Sequence, residues 1–274
     1  MFNQLEILSD EQNEKLNRIR DYIKDLDGVC IAYSGGVDST LVTSLAFEQL
    51  GSKAIAITGV SPALARTLLE EARSQAKWIG VKHLEIETSE LDQESYSKNP
   101  KDRCFACKKE LHKHTTYLSK KLNNKIVLDG VNLDDLGDYR PGIKAAKKAG
   151  VISPLAKFKF SKKDIRDISR ALGFPWWDKP AQPCLSSRFP YGHAITNERL
   201  KMVEKAEEYL RQGGITEVRV RCQGSTARIE IPQDELKNFF KKYDLKELVR
   251  HFSDLGFNCT SLDLEGLISG KLNR

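Results

Sequence analysis

Six residues near the amino terminus combine a flexible backbone with polar side chains: Ser34-Gly35-Gly36-Val37-Asp38-Ser39. They follow the apolar run 29–33 and lead into a helical pattern over 38–50, which predicts a buried strand that turns into a helix. Two glycines let the backbone approach an anion closely, and a helix start offers unpaired N–H groups and a positive dipole end. Phosphate binding is one interpretation. The other is a plain strand–turn–helix junction in which Asp38 and Ser39 cap the helix.

The carboxylate of Asp38 limits the kinds of ligand that this turn can bind. Asp38 would repel a phosphate unless a cation lies between them, so the turn predicts a bound Mg²⁺. The turn lacks the Walker A pattern GxxxxGK[ST], and no lysine follows its second glycine. A different class of phosphate-binding loop is therefore indicated.

Three cysteines have positions that suit metal or sulfur chemistry. Cys104 and Cys107 lie one helical turn apart at the start of a predicted helix over 103–122, so both thiols share one face. Cys184 lies at the end of the proline-rich segment 174–183. Three thiolates are one short of a closed tetrahedral zinc site, and they suit a 4Fe–4S cluster with one open iron.

Other interpretations of the cysteines stay open. A zinc site would need a fourth ligand, which His112 or His114 could supply. The pair Cys104 and Cys107 is also compatible with a redox pair, a thiol relay or unrelated thiols. Lys108 follows Cys107 directly and, with the N–H groups of the helix start, would favour a thiolate.

Length and composition limit the class of protein. A chain of 274 residues can form one substantial domain and a smaller one. No apolar run approaches the roughly 20 residues that cross a bilayer, and the segment 1–27 is charged and helical in pattern, which predicts no secretory signal. We therefore expect a cytoplasmic protein without a disulfide framework. The net charge of +6 permits an anionic substrate and does not require one.

Strands and helices alternate along the first two thirds of the chain, which predicts an α/β fold with a parallel sheet. The predicted strands cover 29–33, 54–58, 82–87 and 125–129, and the helices between them cover 38–50, 62–79 and 103–122. Ligands bind at the carboxyl ends of such strands, where the glycine turn, Thr58 and the segment 130–135 are expected to lie. The proline-rich segment then separates domain 1–182 from a smaller α+β domain, 183–274.

Resemblance to known families adds to this interpretation. Ser34 to Ser39 match the PP-loop of the N-type ATP pyrophosphatases, which cleave ATP to AMP and pyrophosphate and leave an adenylated substrate. Four further motifs make nearly the whole chain similar to the LarE family: 138–142 (DYRPG), 184–192 (CLSSRFPYG), 218–221 (VRVR) and 262–266 (LDLEG).

The resemblance implies a fold and an activity. The fold is a PP-loop (adenine nucleotide alpha hydrolase-like) parallel sheet flanked by helices, with a smaller C-terminal α+β domain for substrate binding and oligomerisation. The activity is ATP-dependent sulfur transfer in nickel-pincer nucleotide synthesis. A carboxylate of pyridinium-3,5-dicarboxylate mononucleotide is adenylated and then converted to a thiocarboxylate. One branch of the family takes sulfur from a single sacrificial cysteine. The three cysteines here place the chain with the branch that carries a 4Fe–4S cluster, and the family is expected to be homo-oligomeric.

The resemblance also implies roles for individual residues. Contacts to ATP and Mg²⁺ are expected from Ser34, Gly35, Gly36, Asp38, Ser39, Thr58, Asp134 and Arg140. The phosphate of the substrate is expected to contact Ser187, Arg188, Arg219 and Arg221. The cluster ligands are expected to be Cys104, Cys107 and Cys184, and the catalytic groups Cys184, Asp38 and Lys108.

Local interpretations remain for several of these residues. Arg219 and Arg221 share one face of a predicted strand, which is either a phosphate clamp or a solvated face. Asp134 could cap the next turn, Arg140 could form a salt bridge, and Lys108 could be a solvated helix residue.

Three other functions stay open. A tRNA thiolase uses similar chemistry, although the chain has no zinc-ribbon pair of CxxC motifs and is expected to have no dense basic patch, so nucleic acid is not an expected partner. An ammonia-using ligase of the NAD synthetase type would leave the cysteines incidental. A nucleotide- or zinc-binding regulatory protein would bind ATP without releasing pyrophosphate. The sequence does not specify the sulfur source.

Overall fold

The computed structural model describes residues 2–123, 126–137, 141–268 and 270–271. Its helices are α1 (Asp10–Lys24), α2 (Val37–Leu50), α3 (Arg66–Ile79), α4 (Glu94–Ser97), α5 (Arg103–Lys121), α6 (Pro141–Lys148), α7 (Pro154–Lys157), α8 (Lys162–Ala171), α9 (Asn197–Gln212), α10 (Leu236–Lys242) and α11 (Leu245–Asp254). Its strands are β1 (Val29–Ala32), β2 (Ala54–Val60), β3 (Lys82–Glu87), β4 (Ile126–Leu128), β5 (Arg219–Gln223), β6 (Thr226–Glu230) and β7 (Cys259–Leu262).

The chain divides into two compact units. The first comprises residues 1–90 and 102–182, and the second comprises 91–101 and 183–274. The sequence analysis assigned 91–101 to the first domain, so this short segment departs from the predicted division.

Hydrogen bonds explain why 91–101 packs with the second unit. The Asn99 side chain is fully buried and donates to the carbonyl oxygens of Phe189 (3.2 Å) and Pro190 (2.7 Å). The Asn99 carbonyl in turn accepts from the Gly192 N–H at 2.9 Å. These partners lie about 90 residues away in the chain, so no local sequence pattern indicates them.

The first unit is built on a four-stranded parallel sheet in the order β3-β2-β1-β4. All residues of β1 are buried, and they alternate between two packed faces. Ile31 packs in the core formed with α1, α2, α3 and α8, whereas Cys30 lies in a cluster with Leu118 of α5. The predicted parallel sheet flanked by helices is confirmed.

The strand order places a binding edge beside β1. The connection from β1 leads to β2 on one side, while β4 pairs with β1 on the other side. The order therefore reverses at the carboxyl ends of β1 and β4, which is where open α/β sheets bind ligands. The glycine turn follows β1, and Gly130 follows β4 shortly after the strand ends.

The second unit contains a small mixed sheet, in agreement with the predicted α+β domain. β5 and β6 are antiparallel, β6 and β7 are parallel, and α9 packs against β5. The buried face of α9 includes Leu200, Val203 and Leu210. These residues recur at helical spacing, as expected of a helix that packs one face against a sheet.

Several helix starts differ from the predicted ones. α1 begins at Asp10, although the sequence is helical in pattern from further toward the amino terminus, because Ser9 forms a capping box with Gln12. The preceding chain is extended, and the Leu5 N–H donates to the Ala171 carbonyl. The short helices α4, α6 and α7 were not predicted. Within the described residues, no helix has the length and apolar character to cross a membrane.

Candidate functional site

The turn after β1 has a backbone that only glycine fits well. Gly35 has a φ of +67°, and a Cβ at this position would lie 3.0 Å from the Cα of Ala72 in α3. Gly36 is the N-cap of α2 and provides no side-chain cap. The first N–H groups of α2 therefore face the turn without a side-chain acceptor from the cap residue, as an anion site requires.

Two serine hydroxyls hold the turn together. The Ser39 Oγ accepts from the Ser34 N–H at 3.2 Å and lies 3.1 Å from the Ser34 Oγ. It also lies 3.1 Å from the Gly36 carbonyl oxygen, to which it donates. The Gly36 N–H makes only a long contact of 3.4 Å with the Ser34 Oγ. Both serines thus contact the turn backbone, and the Gly36 N–H is weakly bound.

The carboxyl end of β4 lies close to the start of α2, beside the glycine turn. A Cβ on Gly130, which follows β4, would lie 2.6 Å from the Ser39 nitrogen and 2.9 Å from its Cα. A side chain cannot occupy that space without shifting the backbone of α2. Gly130 therefore lets the carboxyl end of β4 reach the first turn of α2.

Asp38 binds a cationic side chain. Both of its carboxylate oxygens accept from the Lys162 ammonium, at 2.8 and 2.6 Å, and Oδ1 also accepts from the Asn132 side-chain amide at 3.1 Å. The Asp38 side chain is 24% exposed, so solvent and ligands reach it. A carboxylate that pairs with a cationic side chain and is reached by solvent offers the oxygen ligands that Mg²⁺ prefers, so Asp38 fits the predicted ion.

The acidic segment after β4 has local partners. The Asp134 carboxylate accepts from the backbone N–H of Lys162 at 2.7 Å, at the start of α8. The Asp135 carboxylate accepts from the backbone N–H of Asn132 at 3.1 Å. The Asp134 contact is therefore with α8, 28 residues along the chain, and not with the next turn as the sequence analysis suggested. The predicted contact of Asp134 with ATP stays a prediction. Arg140 lies outside the described residues.

Thr58 is committed to the protein interior. Its hydroxyl donates to the Tyr33 carbonyl at 2.8 Å and lies 2.8 Å from the His83 Nε2. Because a carbonyl can only accept, the Thr58 oxygen must accept from a protonated Nε2. Burial lowers the pKa of His83, which favours this neutral form. The predicted contact of Thr58 with ATP stays a prediction.

Two lysines near the turn were missed by the sequence analysis. One is Lys162, described above. The other is Lys179, whose ammonium lies 3.0 Å from the Gly35 carbonyl oxygen and 2.5 Å from the Glu71 carboxylate. Neither lysine belongs to a sequence pattern that would distinguish it from other lysines, because both contacts join distant parts of the chain.

The predicted metal ligands are divided between the units. Cys104 is exposed and Cys107 is half-buried in the first turn of α5, in the first unit. Cys184 is half-buried and precedes the short 3₁₀ helix Leu185–Arg188, in the second unit. Across the described residues, no three His, Cys, Asp or Glu side chains form a group that could hold a metal ion. The three-cysteine site stays a prediction.

Lys108 lies close to the binding edge of the sheet. Its Cγ would lie 2.8 Å from a Cβ on Gly142 of α6. The positive charge of Lys108 acts on the Asp129 carboxylate, which directly follows β4. Burial raises the pKa of Asp129, while the Ser153 side chain, the Val131 N–H and the Lys108 ammonium act to lower it. The predicted catalytic role of Lys108 is compatible with this position.

In the second unit, two predicted phosphate ligands are held by buried carboxylates. The Arg188 guanidinium donates to both oxygens of Glu207, at 2.7 and 3.0 Å. The Arg221 guanidinium lies 2.8 Å from Glu230 and donates to the Ser187 carbonyl at 2.6 Å. Arg188 also donates to the Ser187 hydroxyl at 2.9 Å. The fold therefore brings Ser187, Arg188 and Arg221 together.

Arg219 completes this group with a different electrostatic environment. Burial lowers the pKa of Arg219, and the nearby charges of Arg188 and Arg221 lower it further, against the opposing effect of Glu230 and Glu207. A guanidinium beside two other guanidiniums is stabilised by any anion that binds there. The predicted contact of Ser187, Arg188, Arg219 and Arg221 with a substrate phosphate stays a prediction.

The strand order, the glycine turn and the carboxylate–cation pair at the binding edge define a PP-loop α/β protein. Three relatives are similar to nearly the whole chain. An uncharacterised protein of Synechocystis sp. is 53% identical over 260 residues, covering 95% of this chain and 97% of the relative. The pyridinium-3,5-bisthiocarboxylic acid mononucleotide synthase of Lactiplantibacillus plantarum is 35% identical over 252 residues, covering 92% and 91%. An uncharacterised protein of Methanocaldococcus jannaschii is 34% identical over 255 residues, covering 92% and 96%. No family model matches the chain. On the similarity to the synthase, the chain belongs to the LarE family.

Proposed function

We propose that this protein is an ATP-dependent sulfur transferase of nickel-pincer nucleotide synthesis. It adenylates a carboxylate of pyridinium-3,5-dicarboxylate mononucleotide and converts it to a thiocarboxylate, with release of pyrophosphate and AMP. The observation that carries the proposal is the glycine turn over the start of α2 with Asp38 beside it. The printed name of the Lactiplantibacillus plantarum relative, a synthase of the bisthiocarboxylic product, supports the choice of substrate.

The turn fits the first half of the reaction. A carboxylate oxygen is a poor leaving group. The substrate carboxylate therefore attacks the α-phosphorus of ATP and expels pyrophosphate, which gives an acyl adenylate whose leaving group is AMP. The N–H groups at the start of α2 stabilise the negative charge of the departing pyrophosphate. Mg²⁺, when bound, supplies further positive charge there. Asp38 would hold that ion, and Lys162, released from Asp38, would be free to contact a phosphate.

The arginine group of the second unit fits the phosphate of the mononucleotide. Arg188 and Arg221 are fixed by Glu207 and Glu230, so the positive charges beside Arg219 keep their positions before a ligand binds. Arg219 adds a guanidinium whose positive charge an anion stabilises. Such a cationic group contacts only the phosphate and does not depend on the base of the nucleotide. It therefore selects a phosphorylated substrate.

The second half of the reaction needs sulfur. We assign Cys104, Cys107 and Cys184 as ligands of a 4Fe–4S cluster, whose chemistry when bound is to carry a transferable sulfide. The thiols of Cys104 and Cys107 lie at the amino-terminal end of α5, where the helix dipole favours thiolates. The lysine that follows, Lys108, adds positive charge at this end of the helix.

Turnover of the defined substrate tests the proposal. The anaerobically prepared protein is mixed with the mononucleotide, ATP, Mg²⁺ and sulfide, and pyrophosphate, AMP and product mass are measured. We expect pyrophosphate and AMP in equal amounts and a product in which sulfur replaces oxygen. Asp38→Asn should slow pyrophosphate release by about 100-fold. Asp167→Asn is the matched control, since Asp167 forms a 2.6 Å pair with Lys163 away from the turn. ATP binding without pyrophosphate release would instead indicate a regulatory protein.

The sulfur carrier requires a separate measurement. Iron and acid-labile sulfide are determined on anaerobic protein for the wild type and for Cys104→Ala, Cys107→Ala and Cys184→Ala. We expect about four irons per chain, lost in all three variants. Absence of iron after anaerobic reconstitution would reject the cluster and leave Cys184 as a direct sulfur donor. If Cys184→Ala turned over normally with ammonia, the ligase alternative would be preferred.

A further inference from the structure

We propose that Lys179 is a positioning residue of the phosphate-binding turn, which fixes the peptide between Gly35 and Gly36 so that its N–H faces a bound pyrophosphate group. The inference rests on the proposed function, because it concerns the same turn. It assigns a role to a residue in the proline-rich segment after α8, which no sequence motif singles out.

The contacts of the Lys179 ammonium are short and enclosed. It donates to the Gly35 carbonyl at 3.0 Å and lies 2.5 Å from the Glu71 carboxylate of α3. The Lys179 side chain is only 12% exposed, whereas the Lys163 side chain in its own ion pair is 82% exposed. A lysine that forms a surface ion pair loses most of its interaction to solvent. Lys179 is shielded enough to act on the turn.

Peptide geometry connects this contact to anion binding. A trans peptide is planar, so its C=O and N–H point in opposite directions. The ammonium of Lys179 holds the C=O of Gly35, and the N–H of Gly36 must therefore point away from Lys179. A positive charge on the carbonyl side also polarises the peptide and strengthens the N–H as a donor. The present partner of that N–H, the Ser34 Oγ at 3.4 Å, is distant enough to be replaced by a phosphate oxygen.

The segment that carries Lys179 is itself anchored. The Lys179 N–H donates to the Trp176 carbonyl at 3.1 Å, which closes a turn. The Trp176 ring packs edge-on against Trp78 of α3, with centroids 5.1 Å apart, and is stacked on Phe174 at 5.8 Å. Pro180 follows and restricts the backbone of Lys179. The ammonium is thus delivered to Gly35 from a rigid support.

The other side of the same peptide is equally constrained. Gly35 lies at a positive φ and against Ala72, so its backbone has little freedom to rotate. Tyr33 donates to the Ala72 carbonyl at 3.2 Å and ties α3 to the end of β1. Glu71, one residue before Ala72, holds Lys179 from the same helix. Together α3 and Lys179 set the orientation of the turn before any ligand binds.

Inorganic pyrophosphate with Mg²⁺ is the probe, titrated calorimetrically into the full chain. Lys179→Met should weaken pyrophosphate binding about tenfold, since it removes a charge-assisted hydrogen bond to the turn. Lys179→Arg should retain most of the affinity because it keeps a charged donor. The control is Lys163→Met, which removes a lysine from an exposed ion pair. The amide proton of Gly36, observed by NMR with ¹⁵N-glycine labelling, should move upfield in Lys179→Met and stay unchanged in the control.

The outcomes separate the two proposals. If the wild type binds no pyrophosphate, the proposed ATP chemistry fails whatever Lys179 does. If the wild type and Lys179→Met bind it equally and the Gly36 resonance does not move, the role of Lys179 is rejected while the proposed function stands. Should Lys179→Met fail to fold, Lys179→Gln serves instead. It removes the charge that faces the Gly35 carbonyl, and an unmoved Gly36 resonance in that variant overturns the inference.

Discussion

Glu207 has no access to solvent, and its charge is balanced by two arginines. Its side chain accepts from Arg188 and Arg211 and from the Val220 N–H at 3.0 Å. Burial alone would raise the pKa of Glu207, but Arg188, Arg211 and the Val220 N–H hold that pKa below its usual value. The carboxylate therefore fixes Arg188 in place, and its own charge is stable only while those donors remain.

We expect Glu207→Gln to destabilise the folded protein by about 3–5 kcal/mol, because Arg188 is left buried without its counter-charge. Urea unfolding measures the loss, with Glu208→Gln, an exposed neighbour on α9, as the control. The folded pKa of Glu207 is depressed, so its stabilisation is present above the unfolded pKa and is lost as pH falls through the folded value. The difference between wild type and Glu207→Gln should therefore shrink in acid, and a pH-independent difference would contradict this account.

A second buried group predicts a different pH range. His112 of α5 is 1% exposed, and neither ring nitrogen has a hydrogen-bond partner among the described residues. Burial, with the charge of Lys108, lowers the pKa of His112 to about 4. The folded protein thus holds His112 neutral where the unfolded chain would protonate it.

When the pH is lowered from 8 to 5, the free energy of unfolding of the wild type should fall by about 2 kcal/mol because of His112. The cause is that the unfolded chain binds a proton at His112 more tightly than the folded protein does. The His112→Leu variant should lack that part of the slope, which urea unfolding at the two pH values measures. His193→Gln, at an exposed position, should retain the wild-type slope. Equal slopes in the wild type and His112→Leu would show that His112 is solvated.

At the scale of elements, the contact between β4 and α2 depends on one missing side chain. A Cβ on Gly130 would meet the Ser39 nitrogen at 2.6 Å, which is closer than real Cβ contacts. The only relief is a shift of the first turn of α2 or of the end of β4, and both shape the anion site. A Cβ on Gly137, at the end of the 3₁₀ helix Asp134–Gly137, would have no atom of the described residues within 4 Å.

Gly130→Ala should therefore weaken pyrophosphate binding by about tenfold or more and lower stability by about 1–3 kcal/mol, as overpacked sites do. Calorimetric titration and thermal unfolding measure the two effects. Gly137→Ala should change neither by a comparable amount. If Gly130→Ala bound pyrophosphate normally, the geometry of the turn would not depend on the approach of β4.

The same elements show what a sequence can predict. The junction of β1 and α2 could be predicted because the strand, the turn and the helix are contiguous in the chain. The hydrophobic pattern marks the strand and the helix, and the glycines mark the turn. The contacts of Lys162 and Lys179 could not be predicted from the sequence, because their partners Asp38 and Gly35 lie more than a hundred residues away. Asn99 is missed for the same reason. The start of α1 at Asp10 is a different failure, because the capping box at Ser9 was present in the sequence and the predicted helix extended past it.

At the scale of the molecule, positive charge is concentrated on one part of the first unit. α5 and α6 pack together and carry nine Lys and Arg residues against the single acid Glu110, a charge of +8 that exceeds the +6 of the whole chain. Eight of the nine are exposed lysines: Lys108, Lys109, Lys113, Lys120, Lys121, Lys144, Lys147 and Lys148. The expectation that the protein has no dense basic patch is therefore wrong, because folding, and not chain proximity, joins the two helices.

A lysine surface of this size predicts attraction to polyanions without base recognition, since its contacts are to phosphates. We expect bulk tRNA to shift in a gel at about 50 mM salt and to be released by about 200 mM, as counterion release requires. Reversing Lys109, Lys113, Lys120 and Lys144 to Glu should abolish the shift. Reversing four exposed lysines elsewhere in this unit, Lys24, Lys53, Lys77 and Lys82, should leave most of it.

The strength of that binding bears on function. A protein that thiolates a small mononucleotide needs no tight complex with RNA, and the described residues of this surface offer lysines, whose contacts to phosphates carry no sequence information. Binding that disappears with salt thus fits the proposed sulfur transferase. Binding that persists at about 200 mM salt and prefers one tRNA would reject the small-substrate proposal in favour of a tRNA thiolase. No shift even at about 50 mM would show that the charge of α5 and α6 is compensated by neighbouring groups in solution.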